Sequence, residues 1–276
     1  MYLRGNRWTM TRRTRRVSFG RIFLLLVGIA AMVYVNQVIV PVTPPLFVPT
    51  PTATRSPESF VNQAQQYYQE GKLKLAMEAY KEAINADPAN AANYVILARL
   101  QVFNGEYAEA VVNAQNALLK NANNALAHAV LGWALGFQDK YGEAELEIKK
   151  ALALDPNSAL AHAYYAEILV NQGADLDKAA EESKKALSLD PTLLEVRRAR
   201  GIVLLNTQNL DEAVNEFQAA LTINKNIADL HLYLGVTYKA LGEYDLAQEA
   251  LLASYALNPN DTVALTELSR AFFADG

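Results

Sequence analysis

Hydrophobic and polar positions repeat at a fixed interval along most of the chain. From Glu58 onward, apolar residues recur at helical spacing, and three series of small residues run in phase with them every 34 or 35 residues. Each unit contains two such segments separated by a short polar break, so the pattern predicts six pairs of helices. The three series are Ala64, Ala98, Gly132, Ala166, Gly201 and Gly235; Ala76, Ala110, Ala144, Ala179, Ala213 and Ala247; and Ala83, Ala117, Ala151, Ala186, Ala220 and Ser254.

Interruptions in the pattern indicate where the helices end. A break such as Gly105 or Gly242 separates the two helices of a unit. Proline cannot donate to a helix and therefore ends one. It closes four of the six units, at Pro88, Pro156, Pro191 and Pro259. The small side chains let the paired helices approach closely, because a larger group at the contact would overpack it.

This 34-residue helix–turn–helix period, with its small, apolar and proline positions, resembles the tetratricopeptide-repeat family. His128 and Leu135 stand where that family usually has tryptophan and tyrosine. The resemblance covers residues 57–260 and implies an all-α fold, a right-handed superhelix of six helix–turn–helix repeats. The third repeat carries most of the family signature, in Gly132, Ala144, Ile148, Ala151 and Pro156.

Two features depart from the regular period. The fourth repeat has one extra residue within 171–175, in a predicted turn, where an insertion is tolerated. Residues 262–273 place Leu265, Leu268 and Phe272 on a common face and predict one further helix, which would cover the exposed core of the last repeat. The repeat domain is therefore predicted to extend over residues 58–276.

The first 57 residues have a different composition. Residues 1–21 contain seven arginines and no acid, and residues 22–42 form an apolar run that matches a bilayer core of ~30 Å at a rise of ~1.5 Å per residue. The positive-inside rule then predicts a single-pass signal-anchor helix, with residues 1–21 in the cytoplasm and the repeats outside. Residues 43–57 contain five prolines and predict an extended stalk. A cleaved secretory signal is the alternative, although its apolar core should be shorter.

Charge and composition narrow the classes of function. The net charge is −4 despite the basic N-terminus, so the remainder is strongly acidic and gives little support for nucleic-acid binding. The absence of cysteine excludes disulfides, thiolate catalysis and zinc sites built on sulfur. The sequence contains no glycine-rich phosphate loop and no G-x-S-x-G motif. We therefore expect a protein that is not an enzyme and binds no cofactor.

Three histidines, His128, His162 and His231, occupy the same position in their repeats. A metal site would require ligands that converge within ~2.1 Å of one ion. Residues one repeat apart lie on successive helix pairs, which separates them. We therefore expect a repeated packing position and no metal site.

In the tetratricopeptide-repeat family, the first helix of each repeat lines a concave groove that binds an extended peptide or a helix. By this resemblance the inner wall is mainly apolar with two arginines, which suits an apolar peptide or an amphipathic helix. We therefore expect a membrane-anchored protein–protein interaction scaffold with protein or peptide partners. The expected groove residues are Val95, Arg99, Phe103, Trp133, Phe137, Val170, Arg198, Ile202 and Val236.

A second hypothesis is structural. Repeat arrays expose apolar surface at both ends, and head-to-tail contacts between them can propagate without closing. The chain would then be a homo-oligomer that assembles into a filament or a surface coat. Candidate contacts are Phe60 and Tyr67 at one end, and Phe272 and Phe273 at the other.

Overall fold

The computed structural model describes residues 18–39, 55–173 and 175–275. The chain divides into an N-terminal unit, Met1–Thr54, and a repeat unit, Arg55–Gly276. Residues 1–17 of the predicted arginine tail and residues 43–54 of the predicted stalk lie outside the described residues. The stalk and its boundaries therefore stay predictions.

The N-terminal unit contains one apolar helix. This helix, α1, spans Phe19–Tyr34 and continues as a π-helical segment over Val35–Ile39. Its apolar stretch of 20 residues, Phe19–Val38, corresponds to ~30 Å at a rise of ~1.5 Å per residue. The helix is therefore long and apolar enough to cross a membrane. The predicted span 22–42 begins inside α1, and its last three residues lie outside the described part of the chain.

The repeat unit consists of thirteen helices, and its described residues contain no strand. Twelve of them form six consecutive pairs, and α14 follows the last pair, as the small-residue series and residues 262–273 predict. The helices are α2 (Pro57–Gln69), α3 (Leu73–Ala86), α4 (Ala91–Phe103), α5 (Tyr107–Lys120), α6 (Ala125–Gly136), α7 (Tyr141–Leu154), α8 (Ala159–Gln172), α9 (Leu176–Leu189), α10 (Leu194–Asn206), α11 (Leu210–Ile223), α12 (Ala228–Leu241), α13 (Tyr244–Leu257) and α14 (Thr262–Asp275).

The two helices of a repeat have different surroundings. The first helices contact one another in sequence, α4 with α6, α6 with α8 and α8 with α10, in addition to their own second helices. In the fourth repeat, α8 buries residues 161–169 without a break, whereas α9 buries only Ala179, Ser183 and Ala186. A helix that is buried on all sides lies within the structure, and one buried on a single face lies at its surface. The first helices therefore form the inner layer.

One side chain sets the turn that ends each of the first five repeats. Its carboxylate or amide oxygen accepts a backbone N–H two residues later, at 2.9 to 3.1 Å. No proline follows in the second and fifth repeats, yet the same turn forms there, so these repeats end like the others. The five side chains are those of Asp87, Asn121, Asp155, Asp190 and Asn224.

The repeated small residues lie where paired helices meet, and all of them are buried. Gly132 shows how close this approach is. A Cβ atom added there would lie 2.8 Å from the backbone oxygen of Ala144 and 2.9 Å from Cγ1 of Ile148. Because a backbone oxygen cannot move aside as a side chain can, this crossing of α6 and α7 requires the smallest residue. At this crossing the predicted reason for the small residue is therefore confirmed.

We expect Gly132→Ala to lower the free energy of unfolding by about 1–3 kcal/mol, because the added methyl group overpacks this crossing. At Gly142, in the same repeat, a Cβ atom would meet no other atom within 4 Å, so Gly142→Ala is the matched control. It should leave stability unchanged or raise it by up to about 1 kcal/mol. Urea unfolding followed by circular dichroism measures both. Equal stabilities of the two variants would contradict the close approach.

Candidate functional site

The superhelix turns tightly enough for its first repeat to meet the loop between α11 and α12. Asn224 Nδ2 donates to the carbonyl oxygen of Tyr68 at 3.1 Å, and Asn226 Nδ2 donates to that of Glu70 at 3.2 Å. Next to these acceptors lies the α2–α3 turn, where Gly71 has φ +74°. A Cβ atom there would lie 1.9 Å from Asn226 Nδ2, so only glycine fits the contact. These contacts close the inner space between the first and the later repeats.

A buried arginine lies at the centre of that inner space. Arg198 is on α10 and is only 2% exposed. Its Nη1 lies 2.5 Å from Oε2 of Glu167 on α8, and its Nη2 lies 2.7 Å from Oδ2 of Asp229 on α12. Arg198 Nε also donates to Asp229 Oδ2, at 2.8 Å. One guanidinium group therefore links the fourth, fifth and sixth repeats.

Four aromatic rings surround the same guanidinium. Their centres lie 5.4 to 6.0 Å from Arg198 Cζ, within the range of cation–π attraction. Because the rings belong to the second, third and sixth repeats, the Arg198 cluster combines groups from five repeats. The four ring residues are Phe103, Trp133, Phe137 and Tyr233.

The charges around Arg198 are not balanced. Two carboxylates face one guanidinium group, and Glu167 Oε1, Asp229 Oδ1 and Arg198 Nη1 are buried without a hydrogen-bond partner among the described residues. Trp133 Nε1 donates to Glu167 Oε2 at 2.7 Å. Burial raises the pKa of Glu167, and the charge of Arg198 offsets this only in part. Burial also raises the pKa of Tyr233 to about 12. The cluster is therefore desolvated, with one unmatched acid.

A second ion pair borders an open space. Arg99 on α4 donates to Oε1 of Glu195 on α10 through both Nε, at 3.1 Å, and Nη2. Beside the pair lies a cavity of about 230 Å³, which we name the Glu195 cavity. Burial and then the charge of Glu195 raise the pKa of Tyr68, in its wall, to about 12. The cavity is lined by Gln65, Tyr68, Gln69, Tyr80, Ile96, Arg99, Leu100, Phe103 and Glu195.

Another cavity lies beside the closing loop. It has a volume of about 300 Å³, and we name it the Asn226 cavity. Phe103 lines both cavities, so a single side chain divides them. The inner face of the superhelix therefore contains two spaces on either side of Phe103. The Asn226 cavity is lined by residues 71–75, Phe103, Asn104, Asn226, Ala228, Leu257 and Asn258.

The structure brings most of the nine predicted groove residues together. Five of them form the Arg198 cluster or border the two cavities: Arg99, Phe103, Trp133, Phe137 and Arg198. The others are Val95 and Ile202, buried in the core, and Val170 and Val236, partly buried. Much of the inner face is thus filled by its own side chains and is not an open wall. Contact of these residues with a peptide stays a prediction.

The site also contains residues outside the nine predicted groove residues, and among them are two acids of the ion pairs, Glu195 and Asp229. They occupy equivalent positions, 34 residues apart. The second, third and fourth repeats have apolar residues at that position, Ala92, Leu126 and Leu160, whereas the first repeat has Glu58. The replacement of an apolar inner residue by an acid was the signal available in the sequence.

The three histidines connect the first helices of the third, fourth and sixth repeats to the loop before each of them. Their Nε2 atoms lie 2.8 to 3.1 Å from a backbone oxygen six residues earlier. In the fifth repeat, Arg197 Nε donates to the same place at 2.8 Å. Nδ1 of His128 faces Glu147 at 2.6 Å, and Nδ1 of His162 faces Glu182 at 2.5 Å. These contacts fasten the loops to the first helices, as a repeated packing position does.

The predicted assembly residues differ in exposure. Phe60 and Tyr67 are partly buried in the first repeat and line a shallow cavity with Leu75. On α14, Phe272 is 51% exposed and Phe273 is 90% exposed. The last helix therefore presents apolar surface, and assembly through these residues stays a prediction.

We expect Arg198→Met to lower the free energy of unfolding by about 3–5 kcal/mol, because Glu167 would stay buried, and Asp229 partly buried, without a counter-charge. Arg197→Met is the matched control at the neighbouring residue. Its partly exposed pair with Glu216 should contribute about 1 kcal/mol or less. Urea unfolding compares the two variants, and equal losses would contradict the central role of Arg198.

Glu167→Gln added to Arg198→Met should restore part of that loss, because a neutral amide needs no counter-charge. The folded chain raises the pKa of Glu167, so the protonated carboxyl group stabilises the fold at pH values below its usual pKa. This stabilisation is lost as the pH rises and the group ionises. The recovery should therefore be larger at about pH 8 than at about pH 4. Equal recovery at the two values would contradict a buried carboxyl group at this position.

Comparison with solved structures shows helical repeat proteins. The Cut9–Hcn1 hetero-tetramer of APC/C has a TM-score of 0.57 at 17% identity, over 90% of this chain and 46% of that chain, which shows the fold alone. YrrB, titled a TPR protein with an unusual peptide-binding site, is 26% identical over 69% of this chain and 97% of its own, with a TM-score of 0.42. MamA is 24% identical over 63% of this chain and 94% of its own, with a TM-score of 0.40.

Sequence comparison agrees with this. ETO1-like protein 2 of Arabidopsis thaliana is 34% identical over 95 residues, which are 34% of this chain. The match spans only about a tenth of that relative's length. Family models described as tetratricopeptide repeat match residues 57–90, 129–193 and 198–262, which together exceed half of the chain. The chain therefore belongs to the tetratricopeptide-repeat family, whose fold is a protein–protein interaction scaffold.

Proposed function

We propose that this protein is a membrane-anchored scaffold that captures a linear segment of a partner protein on the inner face of its superhelix. The observation that carries the proposal is the pair of cavities on either side of Phe103. Both are formed largely by first helices and their adjoining loops, which are the elements that bind peptides in this family. Small-molecule sites typically have volumes of ~300–1,000 Å³. The Glu195 cavity is smaller than that range and the Asn226 cavity lies at its lower limit, so each suits single side chains.

The chemistry of the cavity walls supports a peptide as the ligand. Gln65 and Gln69 line the Glu195 cavity, and Asn104, Asn226 and Asn258 line the Asn226 cavity. An amide side chain both donates and accepts hydrogen bonds, as a peptide backbone does. The remaining wall is largely aromatic and aliphatic and suits apolar side chains. An extended peptide would match both features, because its apolar side chains could enter the cavities while its unpaired backbone N–H and C=O groups bond to the amide side chains.

Membrane attachment through α1 is part of the proposal. It rests on the length and apolar character of Phe19–Val38 and on the seven arginines within residues 1–21. A helix without charges at its centre is stable in a bilayer, and the arginines favour the cytoplasmic side. The repeat unit would then hold its partner at the outer surface of the membrane.

Protease protection tests this topology, with an epitope tag at each end of the full chain. Protease added to intact spheroplasts should remove the C-terminal tag and leave the N-terminal tag attached to the membrane. Lysed spheroplasts are the control, in which both tags should be lost. Protection of the C-terminal tag in intact spheroplasts would show the opposite orientation. Release of an N-terminally shortened soluble protein would favour a cleaved signal.

Peptide capture is tested by selecting a random peptide library on the full chain in detergent. Ala228 lines the Asn226 cavity, so the larger side chain of Ala228→Trp should fill it. The affinity for the selected peptides should then fall by about tenfold or more, because a buried anchor contributes ~1.4 kcal/mol or more to binding. Leu119→Trp, on the exposed face of α5, is the control and should bind as the wild type does. Failure to enrich any peptide, or equal binding by both variants, would contradict capture on the inner face.

A further inference from the structure

The two inner ion pairs have similar surroundings, with one difference. Each joins an arginine to a glutamate from another repeat, Arg198 to Glu167 and Arg99 to Glu195, and each lies among aromatic rings. Beside the first pair, an indole ring fills the space. Beside the second pair, the space is the Glu195 cavity. This contrast indicates which chemical group the cavity fits.

The first pair shows how an indole is held. Trp133 Nε1 donates to Glu167 Oε2 at 2.7 Å, so the indole N–H has a charged acceptor. Its ring stacks on Tyr164, with centres 4.2 Å apart, and meets Phe103 edge to face at 5.3 Å. Arg198 Cζ lies 5.6 Å from the Trp133 ring centre. An acid, an arginine and three aromatic rings, the third being Phe137, thus surround this indole.

The second pair offers the same groups. Glu195 is only 2% exposed and lines the cavity, and both hydrogen bonds from Arg99 end on Oε1. No side-chain hydrogen bond from the described residues ends on Oε2, so Oε2 can accept from a further donor. Tyr68, Tyr80 and Phe103 supply aromatic rings in the cavity wall. A desolvated carboxylate oxygen favours a donor strongly, because its water has been removed.

The volume of the cavity distinguishes among aromatic groups. An engineered apolar cavity of about 150 Å³ is sufficient for benzene. The Glu195 cavity, at about 230 Å³, is half as large again and fits a two-ring group better than one ring. An aliphatic side chain could fill the space but could not donate to Glu195. A cationic side chain could donate to Glu195 but would also be repelled by Arg99.

We propose that the Glu195 cavity binds the indole of a tryptophan in the captured segment, with the indole N–H donated to Glu195. The inference rests on the proposed capture of linear peptides and specifies one anchor residue of the ligand. The indole would enter between α2, α4 and α10 and stack among the rings of the cavity wall. It would thereby join the first, second and fifth repeats, as Trp133 joins the third and fourth.

The test uses N-acetyl-L-tryptophanamide and its 1-methylindole derivative with the full chain in detergent. Saturation-transfer difference NMR and titration should show saturable binding of the tryptophan amide. Methylation at the indole nitrogen should weaken binding by about tenfold or more, because a hydrogen bond to a carboxylate is lost. Absence of saturable binding would overturn the proposal. Equal affinity for the two compounds would also overturn it, because no N–H would then be donated.

A cavity-filling variant locates the binding. Ile96 lines the Glu195 cavity, so Ile96→Trp should abolish binding of the amide, whereas the control Leu119→Trp should retain it. Binding that survives in Ile96→Trp would place the amide elsewhere and overturn the proposal. Should Ile96→Trp fail to fold, the comparison of the two compounds on the wild-type chain decides alone.

The outcomes of this test and of the peptide selection distinguish failure of the indole site from failure of the scaffold proposal. Library peptides that bind without tryptophan, and equally well to Ile96→Trp, would overturn the indole anchor and leave the scaffold proposal standing. Saturable binding of the amide by a chain that enriches no peptide would support the indole site and contradict peptide capture.

Discussion

The inner half of this structure depends on Arg198. In a solenoid each repeat contacts mainly its neighbours, yet this one guanidinium group is in contact with side chains from the second, third, fourth and sixth repeats. Such convergence is attainable only in a tightly curved superhelix. The same curvature brings the first repeat to the loop that carries Asn224 and Asn226. The Arg198 cluster and the contact between the first repeat and this loop therefore both result from the tight curvature of the superhelix.

A charged centre has a different effect from an apolar one. Buried ion pairs contribute little net stability, because desolvation offsets much of the attraction. Stability alone therefore does not account for Arg198, Glu167 and Asp229. A guanidinium group is planar and its hydrogen bonds are directional, so it fixes the positions of its partners. Aliphatic side chains in its place could pack in several ways and close the adjoining space. We therefore expect the arginine cluster to favour one arrangement in which the cavities persist.

The helix pairs could be predicted because they depend on contacts within one repeat. Ala144 and Ala213 each meet the partner helix a short distance along the chain, so every period of the sequence carries the signal. The closure could not be predicted in this way, since Asn224 and Tyr68 are 156 residues apart. Their contact depends on small rotations that accumulate over several repeats, and no single residue reports that sum. For the same reason, Glu195 could be recognised as unusual without its partner being identified.

The two parts of the inner face also differ in how easily they can open. The closure between the first repeat and the Asn226 loop includes two neutral hydrogen bonds, each worth about 0.5–1.5 kcal/mol. A ligand opens this closure only if it binds the open arrangement more tightly, by at least the free energy of the contacts that are broken. Removing a partner from the Arg198 cluster is more costly, at about 3–5 kcal/mol for one buried charge. The closure is therefore the part of the inner face that costs less to open than the Arg198 cluster. Such an opening would admit a segment to both cavities, with Phe103 between them as the fixed point against which it packs.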